Sequence, residues 1–137
     1  MPTLVDANVI LDIATSDPVW REWSETSLSD LIDERSTLIV NPIIYAEVSV
    51  GFSSPDVLER VLSRIGVERE PLPWDAAFLA GKAFLAYRRK GGERRSPLPD
   101  FFIGAHAAVR GYPLITRDPK PYRTYFPNLQ VIAPDRL

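Results

Sequence analysis

The sequence predicts an α/β fold, a three-layer α/β/α sandwich around a central, mainly parallel sheet of four to five strands. Two observations predict it. Short β-rich runs lack a strict alternation of polar and apolar residues, as expected of strands covered on both faces. Those runs alternate with stretches of helical spacing, the order that gives a parallel sheet with right-handed crossovers. The chain has 137 residues, 45% hydrophobic and 25% charged, which suits a single domain 1–137 with a core of its own. Ligands of such a sheet are expected at the C-terminal ends of the strands.

The first strand is Thr3-Leu4-Val5, followed by a helix beginning near Asn8. Asp17-Pro18, Asn41-Pro42 and Ser54-Pro55 each set an N-cap residue type before Pro at the first helical position, so each predicts a helix start. Trp20, Trp23, Leu28, Leu31 and Ile32 follow the first pair at helical spacing, and Leu58, Val61, Leu62 and Ile65 follow the third. Thr37-Leu38-Ile39-Val40 reads as the second strand, and Val67-Glu68-Arg69 as a candidate edge strand. A helix is expected from about Trp74 to Lys90, with Trp74, Ala77, Phe78, Gly81 and Leu85 on one face. Another starts near Asp100 and ends at Gly111, a residue suited to a helix stop. Leu114-Ile115-Thr116 and Leu129-Gln130-Val131-Ile132 complete the strands.

Composition excludes several classes. With no Cys there are no disulfides, thiolate metal sites or cysteine nucleophiles, which suits a reducing, cytoplasmic setting. Uncharged stretches such as Ser36–Ala46 fall short of the roughly 20 residues of a membrane helix. Met1–Asp6 has neither a basic start nor an apolar core, so no secretory leader is expected. No G-x-x-x-x-G-K-[ST] occurs, which excludes a P-loop nucleotidase. The formal net charge of −2 gives no overall attraction to nucleic acid, so such contact needs a local basic patch. Arg88, Arg89, Lys90, Arg94 and Arg95 form one just before Asp100. They suit either phosphate contact or a solvated helix end.

Four carboxylates carry the chemical signal. Asp6 directly follows the first strand, and Asp118 follows Leu114–Thr116 by two residues. Glu47 is the only charged residue between Ser36 and Pro55 and lies on the apolar stripe with Ile43 and Ile44. A lone buried carboxylate needs a cation, a partner or a proton. Asp100 shares a helix face with Ile103, Gly104 and Ala107. Each has a local alternative: Asp6 and Asp100 as helix caps, Asp118-Pro119 as a turn opener, Glu47 in a buried ion pair. One shared acidic pocket explains all four together.

Like charges at about 4 Å repel by about 4 kcal/mol per pair at an effective dielectric near 20, so the pocket must share protons or bind a hard cation. Oxygen donors without Cys favour Mg²⁺, with Mn²⁺ as a substitute, over Zn²⁺. A carboxylate–Mg²⁺ site suits phosphoryl chemistry. The lone His106 reads as a core or surface residue rather than a ligand.

These residues resemble the PIN-domain nucleases, specifically the toxins of VapBC-type toxin–antitoxin pairs, over essentially the whole chain. Leu4-Val5-Asp6-Ala7-Asn8 is similar to the first acidic motif and Asn41–Glu47 to the second. Leu98–Ala107 resembles the third and Leu114–Asp118 the fourth. The tail from Tyr122 to Ile132 also resembles the toxin branch. The resemblance implies a PIN-like sandwich with Asp6, Glu47, Asp100 and Asp118 as a Mg²⁺-dependent catalytic quartet. Asp6 and Asp100 would be the nearest ligands, with Asn8 and Thr116 supporting the carboxylates by hydrogen bonds. It further implies endoribonuclease activity leaving a 5′-phosphate, a homodimer, and a cognate antitoxin that blocks the site. Trp20, Trp23, Val50, Phe52, Leu58 and Leu62 would then line the antitoxin grooves, unless they are core. Ala7 departs from the pattern, since many relatives carry Ser or Thr there.

Two rivals remain in view. A phospho-receiver needs an acidic pair after the first strand, an Asp after a middle strand and a Lys after a late one. Here Ala7-Asn8, Asn41-Pro42 and Thr116-Arg117 stand in those places. The other is a catalytically silent PIN-like binding module. In the catalytic reading, Asp6→Asn or Asp100→Asn abolishes cleavage, leaves the fold intact, and raises the melting temperature without metal.

Overall fold

The structure, a computed structural model, describes residues 1–91 and 98–134. Five short strands form one wholly parallel sheet: β1 (Pro2–Val5), β2 (Thr37–Val40), β3 (Glu68–Arg69), β4 (Leu114–Ile115) and β5 (Val131–Ile132). Their order is β3-β2-β1-β4-β5. The chain therefore winds outward from central β1 first to one side and then to the other. Leu4 pairs with Ile39 and with Leu114, which brings the C-terminal ends of β1 and β4 side by side. The helices are α1 (Ala7–Ala14), α2 (Arg21–Asp33), α3 (Pro42–Ser49), α4 (Pro55–Ile65), α5 (Trp74–Arg89), α6 (Leu98–Arg110) and α7 (Lys120–Tyr125).

Two of the three Pro-linked helix starts form as the sequence predicts. Asn41 Oδ1 accepts from the Ile44 amide and Ser54 Oγ from the Val57 amide, each before Pro at the first helical position. The third does not. Asp17 Oδ1 accepts from the Val19 and Trp20 amides in a turn, and α2 begins only at Arg21 with Trp20 at its N-cap. Of its predicted apolar stripe, Leu28 is buried whereas Ile32 is exposed.

The face of α5 that carries Trp74, Phe78 and Leu85 is its outer one. Trp74 is 91% and Phe78 70% exposed, and Ala76, Ala80 and Ala83 are buried instead. Apolar residues occur on both faces of this helix, and close helix–helix contact selects the small ones. The alanines let α5 lie against α6, where Phe101, Ala105 and Phe126 complete a second core. That close approach extends to α7. A Cβ added at Gly104 would stand 2.5 Å from the Phe126 ring, so only glycine admits the ring.

Other boundaries move slightly. Helix α6, described from Leu98, already includes the two residues before Asp100 and ends before Gly111, whose φ of 70° supplies the left-handed stop. Strand β5 is confined to Val131–Ile132, and helix α7 follows Asp118-Pro119, a stretch to which the sequence reading assigned no element. Arg88, Arg89 and Lys90 are exposed at the end of α5, whereas Arg94 and Arg95 lie outside the described residues. Among the described residues no helix is long and apolar enough to cross a membrane.

The principal core covers both sheet faces with Leu4, Val9, Ile10, Leu38, Ile44, Ile103 and Leu114 among its members. Leu58 and Leu62 belong to it, although Leu58 also lines a surface pocket with Phe52, while Val50 is 87% exposed and Phe52 is half-buried.

Candidate active site

Strand ends and helix starts meet above β1 and β4. There Asp6, Ala7, Asn8, Leu11, Glu47, Val50, Asp100, Asp118 and Tyr122 line a pocket of about 400 Å³. The four carboxylates singled out in the sequence thus share one pocket. Each arrives on a different element: Asp6 between β1 and α1, Glu47 from α3, Asp100 from the first turn of α6, and Asp118 beyond β4.

Asp6 is the most constrained. Its Oδ1 accepts from the Ala7 amide at 2.8 Å, so it caps α1 while belonging to the pocket. Its Oδ2 accepts from Thr116 Oγ1 and from Tyr122 Oη, both at 2.8 Å. Thr116 Oγ1 in turn accepts from Asn8 Nδ2 at 3.3 Å and from the Asp118 amide at 3.1 Å. Asn8 Oδ1 accepts from the Arg117 amide at 3.1 Å. Asn8 therefore acts on Asp6 through Thr116, and the two polar side chains stitch the start of α1 to the end of β4.

The electrostatics record the crowding. Burial pushes the Asp6 carboxyl above its ordinary range, against the lowering effect of its hydrogen bonds. Burial, then the charge of Asp6, raises Asp100 to about 6. Burial, then Asp6 and Asp100, raises Glu47 to about 7. Burial holds the Tyr122 phenol well above its usual value, with Asp6 and Asp100 adding to the effect. Tyr122 thus stays a neutral donor among acceptors.

Among the described residues, no three His, Cys, Asp or Glu side chains stand close enough together to hold a metal ion as placed. The donor set is nevertheless all oxygen, and His106 lies elsewhere, so it fits a hard divalent cation rather than zinc. His106 is fully buried: Asn41 Nδ2 lies 2.9 Å from its Nδ1, and its Nε2 lies 2.7 Å from Glu70 Oε2.

Two contributors lack a role in the sequence reading. Tyr122 reaches both Asp6 and, at 3.3 Å, Asp100 Oδ1. The signal was a hydroxylated aromatic four residues after Asp118, one helical turn on. Arg117 grips Asp12 of α1 through Nε and Nη2, both at 2.9 Å, and so fastens the backbone beside Asp118. Nothing local in the sequence relates those two residues.

A parallel α/β/α sheet with an acidic pocket across the C-terminal ends of its neighbouring strands β1 and β4 defines the class. The PIN domain family model matches residues 3–127, and the chain belongs to that family. Solved structures share the fold. A chain of VapBC2 from Rickettsia felis, bound to a DNA fragment from its promoter, superposes with a TM-score of 0.76 at 19% identity, covering 98% of this chain and 100% of that one. A chain of VapBC-1 from nontypeable Haemophilus influenzae gives 0.72 at 18% identity, covering 97% and 98%. A toxin–antitoxin complex from Klebsiella pneumoniae gives 0.71 at 21% identity, covering 98% and 99%. No curated protein matches the chain.

Proposed function

We propose that this chain is a Mg²⁺-dependent endoribonuclease, the toxin of a type II toxin–antitoxin pair. The observation that carries the reading is the gathering of Asp6, Glu47, Asp100 and Asp118 into one pocket, where burial raises the carboxyls of Asp6, Glu47 and Asp100. Such a pocket favours whatever neutralises it, and Asp6, Asp100, Glu47 and Asp118 would hold the cation. Bound there, Mg²⁺ (or Mn²⁺) supplies the charge that offsets an RNA phosphate and makes water a better nucleophile. Hydrogen bonds from Thr116 and the Ala7 amide orient Asp6 and oppose part of the upward push that burial gives its carboxyl. Glu47, half-buried beside Asp6 and Asp100, would complete the site or act through water. Arg88, Arg89 and Lys90, exposed at the end of α5, supply cations for the RNA backbone.

The structural neighbour from Klebsiella pneumoniae, named a toxin–antitoxin complex, supports a protein partner of the same kind. Exposed Val50, which lines the pocket, and half-buried Trp20, Trp23 and Phe52 are apolar residues that would be available to it. The remaining elements of this reading are a single domain, a homodimer and a cytoplasmic setting.

The test is cleavage of total cellular RNA by the purified chain with Mg²⁺ or EDTA, beside Asp100→Asn. Cutting that needs the metal and disappears in the variant is expected. A folded wild type that binds Mg²⁺ but cuts no RNA would instead favour the silent binding module.

A further inference from the structure

We propose that Tyr122 is a positioning residue of the metal site: its hydroxyl, set between Asp6 and Asp100, ties down one oxygen of each carboxylate and governs how the pair meets a divalent cation. The inference rests on the metal-site reading of the pocket. Three observations carry it.

The first is hydrogen-bond capacity. A carboxylate oxygen accepts about two hydrogen bonds. Asp6 Oδ2 already accepts from Thr116 and Tyr122, both at 2.8 Å, so it is filled. Asp6 Oδ1 accepts from the Ala7 amide alone, which leaves one position open on that oxygen. Tyr122 also lies 3.3 Å from Asp100 Oδ1, so among the described residues Asp100 Oδ2 is the oxygen left unengaged. The one Tyr122 O–H is thus shared, donating chiefly to Asp6 Oδ2 at 2.8 Å and more weakly to Asp100 Oδ1 at 3.3 Å, which leaves Asp100 Oδ2 and one position on Asp6 Oδ1 open.

The second is rigidity. Tyr122 is 1% exposed, and its helix α7 is pinned to α6 by Phe126 seated against Gly104. The hydroxyl cannot swing out to water, and α6 also carries Asp100. The third is placement: Asp6 and Asp100 come from different elements, and Tyr122 is the side chain that bonds to both. Partners of this type around metal ligands commonly change metal affinity about 10–100-fold.

The experiment measures Mn²⁺ binding by electron paramagnetic resonance with the full chain, comparing wild type, Tyr122→Phe and Asp100→Asn. Phenylalanine keeps the ring in its packing and removes only the hydroxyl. Mn²⁺ affinity should fall about 10-fold or more in Tyr122→Phe at a similar melting temperature. Affinity within twofold of wild type would overturn the positioning role while leaving the metal site standing. A wild type whose Mn²⁺ binding is absent, or unaltered by Asp100→Asn, would overturn the metal-site reading and this inference with it. A second measurement needs no variant. The buried hydroxyl proton of Tyr122 should give an exchange-protected resonance that shifts as Mg²⁺ is titrated, and a resonance that Mg²⁺ leaves in place would equally overturn the proposal.

Discussion

Arg117 and Asp12 form a two-pronged ion pair, Nε to Oδ2 and Nη2 to Oδ1, each at 2.9 Å, with Asp12 only 2% exposed. Ser24 Oγ donates a further bond to Asp12 Oδ2, and the Arg117 guanidinium lies over the Trp20 ring. The pair fastens the segment leading into Asp118 to α1, the helix that Asp6 caps. Arg117→Gln strands a buried carboxylate, and stability should drop by about 3–5 kcal/mol. The double variant Arg117→Gln/Asp12→Asn should recover part of that loss. Urea denaturation decides it: an unchanged midpoint in the single variant would show that the pair contributes nothing.

Gly104→Ala tests the joint between α6 and α7. Alanine favours a helix by about 1 kcal/mol, yet its Cβ would lie 2.5–2.6 Å from Phe126 carbons. Overpacking of this kind typically costs about 1–3 kcal/mol, so a net loss of stability is expected. Gly104→Ala/Phe126→Leu should relieve it. A stabilised single variant would mean that the ring moves aside freely.

Glu47→Gln should stabilise the metal-free protein. Among the described residues no hydrogen bond is made to its carboxylate, and its affinity near 7 reflects burial and the charges of Asp6 and Asp100. At pH 8 the gain should be about 1 kcal/mol, reduced from the full shift because water screens a half-buried group. Asp6→Asn should behave in the opposite sense, contrary to the expectation drawn from repulsion alone. Asp6 accepts three hydrogen bonds, and an amide would turn a donor toward one of those donors. Thermal melts of both variants at pH 8 without metal check the contrast.

Stability of the metal-free chain should fall as pH rises. Asp100 and Glu47 titrate in the fold at about 6 and about 7, against ordinary values of 3.8 and 4.5. Over those windows the folded state binds more protons than the unfolded one. What they contribute is therefore complete below their ordinary values and lost as pH passes through about 6 and then about 7. Because metal competes with those protons, added Mg²⁺ should raise the melting temperature more at pH 8 than at pH 5. Equal shifts at both pH values would count against a cation held by these acids.

Much of this protein was legible along its sequence. The strands and their parallel arrangement followed from β-rich runs without alternation, because a strand covered on both faces leaves that mark locally. Asn41-Pro42 and Ser54-Pro55 marked helix starts because capping and the fixed φ of proline act within one turn. Asp6, Glu47, Asp100 and Asp118 stood out because a carboxylate at a strand end or on an apolar stripe is anomalous where it sits. Tertiary structure alone decided which face of α5 is inside, since Ala76, Ala80 and Ala83 win by fitting against α6, a contest invisible to periodicity. It likewise decided that Tyr122 bridges Asp6 and Asp100, and that Arg117 pairs with Asp12 across 105 residues. Those contacts depend on how distant elements meet, and a single chain read residue by residue holds no record of that distance.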